Sequence, residues 1–177
     1  LQMFLESKDQ GKLPEDQRIT TIVTIHKEGK PRDDCSSYRP ISLLNAEVKI
    51  LAKLLATRLL PVITKLVHAD KSGFMPKRST TLNLRRLQAV MGRINTIGED
   101  AVVLSLDAKM AFDSIEWTYI FEVLSRMGFG RGFLDWVGLL YTDPLARVKV
   151  NGKQSRTFRL QRGTRQAARS LCLYLVY

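Results

Sequence analysis

The sequence predicts an α+β fold, an antiparallel sheet with helices packed on one side, and three observations carry that expectation. Unbroken β-branched stretches, of which Ile19, Thr20, Thr21, Ile22, Val23, Thr24 and Ile25 are the longest, favour extended chain. Between such stretches lie segments whose apolar residues recur at helical spacing. The pair Asn151-Gly152, set between two short strand-like runs, is the turn signal of a two-residue hairpin. At 177 residues the chain reads as one domain, large enough to bury a core without disulfides or structural metal.

In chain order, residues 1–8 look like the last turns of a helix, and 10–17, with Gly11 and Pro14, like a loop. Strands are expected at 18–25 and 38–44. The loop between them carries Lys27, Lys30 and Arg32 and the pair Asp33-Asp34. Asn45 is a candidate cap for a helix over 46–60 with Ile50, Leu51, Leu54 and Leu55 on its apolar face. Pro61 is expected to start a second, short helix reaching Val67. A basic extended run at 74–78 precedes a helix over 80–97 that turns Leu84, Leu87, Val90, Met91 and Ile94 inward. Residues 101–106 (AVVLSL) read as a buried strand that stops at an acid, Asp107. Helices are then expected at 116–127, with Trp117, Ile120, Phe121 and Leu124 on the apolar side, and at 133–141. The hairpin strands are 146–150 and 155–160.

Charge narrows the function classes. There are 28 Lys and Arg against 17 Asp and Glu, a formal +11. Beyond Asp143 no acid occurs, while Arg147, Lys149, Lys153, Arg156, Arg159, Arg162, Arg165 and Arg169 follow. A polyanionic partner, with a nucleic-acid backbone the usual one, suits that asymmetry; a solvated basic face is the other reading. Cys35, Cys172, His26 and His68 show no metal-ligand spacing. No signal-peptide pattern opens the chain, and its longest apolar segment is interrupted by Lys49, Lys53, Arg58 and Lys65, so no membrane span is expected.

Asp107 is the candidate chemical residue. A carboxylate at the end of a buried strand is costly unless something positive compensates it. Two readings stand: Asp107 holds Mg²⁺ against phosphate oxygens, which suits a hard cation, or it caps the following helix. For Phe112 the choice is between a ring beside a ligand and plain core packing.

The spacing of Asp107, then Phe112, then at once Asp113 resembles a motif of reverse transcriptases, and the surrounding text resembles those of non-LTR (LINE-type) retrotransposons. Upstream, SSYRPISLLNAEVKILAKLLATRL is similar to the family's fingers segment and KSGFMPKRSTTLNLRRL to the Gly-Phe segment after it. Downstream, MGFGRGFLDWVGLLY, ARVKVNGK and RGTRQ fall in the family's order, so the likeness covers about residues 19–166.

The resemblance implies a partial right-hand polymerase: a fingers-like part at 1–98, with a strand pair, helices and some palm helix, and an incomplete palm at 99–166. It implies RNA-directed DNA synthesis from an RNA template, a DNA primer and deoxynucleoside triphosphates, with Mg²⁺ as cofactor, in the cytoplasm and nucleus. Asp107 would be one of three metal-binding carboxylates, and the Ala108 carbonyl a companion ligand. Lys27 and Arg39 would meet the triphosphate, Phe112 would lie under the sugar and Gln166 beside the incoming nucleotide. Lys77 and Arg78 would bind template phosphates, with Arg85 and Arg86 either joining them or forming a solvated face. Arg147, Lys149 and Lys153 on the hairpin are candidates for template or primer contact, and Asp113 reads as structural, a partner for an Arg or a helix cap.

The chain departs from the family pattern in three places. Lys109-Met110 stands where Glu-Lys is usual. After Gln166 the family continues Gly, any residue, Pro, whereas Ala167, Ala168, Arg169, Ser170 and Leu171 follow here. Deleting one G from a back-translation of Gly-Cys-Pro-Leu-Ser yields Ala-Ala-Arg-Ser-Leu, so 167–177 is read as a frameshifted or misannotated tail. The adjacent Asp pair that such a site needs beyond Gln166 is not in the sequence, and Asp33-Asp34, in a polar loop, is no substitute. The fragment is therefore expected to be inactive. Two other readings are a non-catalytic RNA- or DNA-binding remnant and a small-molecule phosphotransferase using Asp107, which lacks a Gly-rich phosphate loop.

Overall fold

A computed structural model describes residues 1–98, 100–108 and 110–164. Helix α1 (Gln2–Gln10) closes at Gly11, whose φ of 68° is the left-handed conformation that glycine adopts without penalty. The expected loop at 10–17 holds a further short helix, α2 (Glu15–Arg18). Pro14 presets its entry, and Glu15 and Asp16 suit the positive end of its dipole.

Helix α3 (Ala46–Leu66) is continuous, so the expected break at Pro61 does not occur. A proline inside a helix costs about 3 kcal/mol. Here the buried stripe of Val48, Leu51, Ala52, Leu55, Leu59 and Ile63 runs past Pro61, and burying Ile63 offsets that cost. The stripe is turned from the expected one: Leu51 and Leu55 are buried, whereas Ile50 and Leu54 remain exposed.

Helix α4 (Thr80–Ile97) is capped by the Ser79 hydroxyl, which accepts from the Thr81 N–H, and ends at Gly98. None of its side chains is buried, and Leu84, Leu87, Val90 and Met91, expected inside, are exposed. The periodicity was real, but among the described residues nothing covers that stripe. Helices α5 (Trp117–Arg126) and α6 (Arg131–Tyr141) follow the expected pattern and bury Ile120, Leu124, Val137, Leu139 and Leu140 in one core with the buried stripe of α3, with α6 packed on both α3 and α5.

The sheet orders its strands β2-β1-β3-β4, with β5 also on β3. Strands β1 (Ile19–His26) and β2 (Tyr38–Leu43) are antiparallel, as are β3 (Leu145–Val150) and its partners β4 (Lys153–Gln154) and β5 (Phe158–Arg159). The β1–β3 pair, however, is parallel. The sheet is therefore mixed rather than antiparallel, because β3 is reached from β1 through the intervening helices and enters in the same direction. Asn151 and Gly152, both at positive φ, make the expected tight turn. The hairpin register slips by one residue between Lys149–Gln154 and Ala146–Phe158, a bulge that leaves only Phe158–Arg159 of the expected strand 155–160 in the ladder, while β4 pairs earlier, next to the turn.

Residues 101–106 are not a buried strand. They are irregular, with Val102 93%, Leu104 76% and Leu106 83% exposed. Apolar β-branched composition expresses a preference for a ladder, but a ladder needs a neighbour, and no described strand pairs with this segment.

Candidate nucleotide and nucleic-acid site

The β1–β2 hairpin places the first two expected residues. Its register sets Ile25 opposite Arg39 and His26 opposite Tyr38, whose rings meet edge to face at 5.2 Å. Arg39 is exposed. The Lys27 ammonium donates to the Ser36 carbonyl at 2.7 Å and its backbone N–H to Ser37 O at 2.7 Å. Asp34 accepts from the Ser36 hydroxyl and from its N–H. Those two bonds, aided by the Lys27 charge, outweigh burial and hold the Asp34 carboxyl below its usual range. Asp34 thus serves its own turn, with its side chain capping the short 3₁₀ turn Cys35–Ser37.

Asp107 and Ala108 are exposed at the exit of the apolar segment. Among the described residues no arginine and no other cation forms an ion pair with the Asp107 carboxylate. One carboxylate and one backbone carbonyl are hard oxygen donors of the kind Mg²⁺ takes. No group of three His, Cys, Asp or Glu side chains converges among the described residues, so the donors fit one flank of a Mg²⁺ site and not a whole one.

Phe112 is half-buried in a turn closed by bonds from the Asp113 and Ser114 N–H groups to Met110 O, at 2.9 and 3.1 Å. Asp113 neither caps α5, whose N-cap is Glu116, nor pairs with an arginine among the described residues. Its backbone instead forms a seat for Gly163. The Gly163 N–H reaches Ile115 O and the Thr164 N–H reaches Phe112 O, both at 2.8 Å. Trp117 Nε1 donates to Gly163 O at 2.8 Å. Beside this junction is a cavity of about 180 Å³ lined in part by Thr20, Ser42, Asp113 and Thr164. Gln166 lies outside the described residues.

Of the basic residues, Lys77 is exposed at φ 61°. Arg78 is engaged elsewhere: its guanidinium donates to the carbonyls of Thr64, Val67, His68 and Lys71, at 2.6–3.1 Å, and so closes the C-terminal end of α3. While it makes those bonds it cannot also fork a phosphate. Arg86 is ion-paired to Asp70. Arg147 and Lys149 share one face of the sheet with Thr21 and Val23 and line a shallow depression of about 500 Å³, and Arg147 Nε donates to Thr21 Oγ1 at 3.1 Å. Lys153 is exposed at the end of the same hairpin.

The hairpin basic residues, the Phe112 turn and Asp107 lie within one matched span: residues 25–169 fit the family model described as reverse transcriptase (RNA-dependent DNA polymerase). The chain belongs to this reverse transcriptase family. The uncharacterized 149 kDa protein of transposon TX1 from Xenopus laevis is 29% identical over 164 residues, 93% of this chain. The RNA-directed DNA polymerase from the mobile element jockey of Drosophila melanogaster is 35% identical over 115 residues, 64% of the chain. The Pol polyprotein of the type-2 retrotransposable element R2DM of the same fly is 29% identical over 159 residues, 88% of the chain. The reverse transcriptase chain spans 12%, 13% and 14% of these relatives' lengths, respectively, and they are proteins of non-LTR retrotransposons.

Two structural links of this reverse transcriptase chain were not foreseen. One joins Trp117 and Gly163; its only sequence signal is the glycine of RGTRQ. The other ties Arg18 to Asp143, which also meets Lys12 at 3.4 Å and Arg159 at 3.1 Å. Nothing in the sequence distinguishes Arg18 from any surface arginine. No described helix is long and apolar enough to cross a membrane.

Proposed function

We propose that the chain is the fingers and part of the palm of a right-hand polymerase that copies RNA into DNA, with residues 1–98 on the fingers side and 99–166 in the palm. The observation that carries this reading is the family match across residues 25–169, a span that contains Lys27, Arg39, Asp107, Phe112 and Gln166. Asp107, exposed and outside any described ion pair, and the Ala108 carbonyl would hold Mg²⁺. When bound there, the ion supplies Lewis-acid charge that acidifies a primer hydroxyl and neutralises the leaving pyrophosphate.

The chain's own residues do the rest of the binding. Lys27 gives up the Ser36 carbonyl and turns its ammonium to a triphosphate, which is the stronger acceptor because it is charged. Arg39, extended on β2, forks two phosphate oxygens. Phe112 bounds the sugar. Lys77, Arg147, Lys149 and Lys153 neutralise template or primer phosphates, a contribution that weakens with salt.

The 177-residue chain by itself is proposed to hold RNA without extending a primer, since among its described residues Asp107 stands without the other carboxylates of a metal pair. Primer extension and RNA affinity measured on one preparation test both statements. Salt-dependent RNA binding with no extension is expected. Extension would overturn the inactivity, and no RNA binding would overturn the polymerase reading.

A further inference from the structure

The three bonds between residues 112–117 and 163–164 join parts of the chain that the sequence keeps far apart. Gly163 is fully used: its N–H is given to Ile115 O and its carbonyl receives the Trp117 indole N–H, while the next residue, Thr164, binds Phe112 O. The approach is close. Gly163 has φ 89°, and a Cβ built on it would stand 2.9 Å from the Asp113 carbonyl oxygen and 3.3 Å from its carbonyl carbon. No side chain fits there without moving the Phe112 turn. Trp117 is held from behind by Tyr141, with ring centroids 6.0 Å apart, so the indole donor is placed by the core of the α5–α6 pair.

We propose that Trp117 and Gly163 are positioning residues for nucleotide sugar selection: they lock the backbone of the turn bearing Phe112 to the core, and so fix how closely that ring approaches the sugar. This rests on the polymerase reading above. A ring on a turn tied only by its own i to i+3 and i+4 bonds would yield to an added 2′-hydroxyl, whereas one anchored at both Phe112 O and Ile115 O does not. Gly163 is required because only a residue without Cβ allows the approach.

The test uses the 177-residue chain with Trp117→Phe, which removes the donor and keeps a ring against Tyr141, and with Gly163→Ala. Each is titrated with dATP and with ATP in Mg²⁺, alongside RNA binding and thermal melting. Wild type is expected to prefer dATP. Trp117→Phe is expected to lower the dATP/ATP affinity ratio about fivefold, the worth of one hydrogen bond, with RNA affinity unchanged. Gly163→Ala moves the ratio the same way, and if it fails to fold, Trp117→Phe decides. A wild-type preference that survives in Trp117→Phe overturns the positioning role alone, as does equal wild-type affinity for the two nucleotides. A wild-type chain that binds neither nucleotide overturns the polymerase reading and this inference with it.

Discussion

The guanidinium of Arg18 lies against the carboxylate of Asp143, 125 residues later in the chain, and also donates to the Asp143 carbonyl at 2.9 Å and to Leu13 O at 3.1 Å. Arg18 is almost wholly buried, and the contact pins the entrance of β1 to the entrance of β3 where the two strands run parallel. The mixed sheet is thus fastened at one corner by a single arginine.

That corner makes stability depend on pH. Burial by itself raises Asp143, but the hydrogen bond from Lys12, the charge of Arg159 and the contacts of Arg18 outweigh it and hold the carboxyl below its ordinary value. The charged form is favoured in the folded state, so its contribution is complete above the unfolded-state value and is lost as pH falls through the lower folded one. Asp143→Asn keeps a residue that tolerates the φ of 47° and removes the charge. Urea midpoints from about pH 7 to about pH 2 should fall less steeply in Asp143→Asn than in wild type, and should be lower in the variant at neutral pH.

Core and rim of the helical layer should respond differently. Leu124→Ala, at a fully buried site, is expected to cost about 2–5 kcal/mol. Ile50→Ala, on the exposed flank of α3, should change stability by no more than about 0.5 kcal/mol. Chemical denaturation of both variants checks the rotated stripe; equal losses would restore the orientation expected from sequence.

Lys77 and Arg78 are neighbours with different work. Arg78→Ala should lower stability by about 1–3 kcal/mol, since it leaves carbonyls at the end of α3 without their charged donor. Lys77→Ala should leave stability unchanged and reduce the slope of log K against log salt for RNA binding by about 1. Denaturation and filter binding on the two variants separate a cap from a phosphate contact.

The hairpin surface carries a further expectation. Replacing Arg147, Lys149 and Lys153 together by Ala should lower that salt slope by about 2 for single-stranded RNA. A slope that does not change would remove the hairpin from the nucleic-acid interface.

The exposed run 101–106 is an aggregation hazard, being apolar, uncharged and rich in strand formers. Leu104→Lys should reduce concentration-dependent association in sedimentation velocity and leave the melting midpoint in place, because Leu104 is 76% exposed and a lysine there keeps its charge in water.

Local chemistry made much of this molecule legible from its residues. A β-branched run gave β1, an extended apolar pattern gave β2, Asn151-Gly152 gave the hairpin turn, and periodicity gave α5 and α6 with their buried faces, because in each case propensity and burial agree within a few residues of sequence. The spacing of Asp107, Phe112 and the basic residues gave the family. Tertiary structure decided the rest. Whether Pro61 breaks a helix, which side of α3 is inside, whether α4 and 101–106 find a partner, and which arginine becomes a cap all depend on what packs alongside. So does the approach of Gly163 to Asp113: a glycine announces freedom of φ, but only the folded backbone shows which segment comes within 2.9 Å of its missing Cβ. Sequence states what each segment prefers to bury or bond, and the identity of the neighbour, set by long-range packing, determines whether that preference is met.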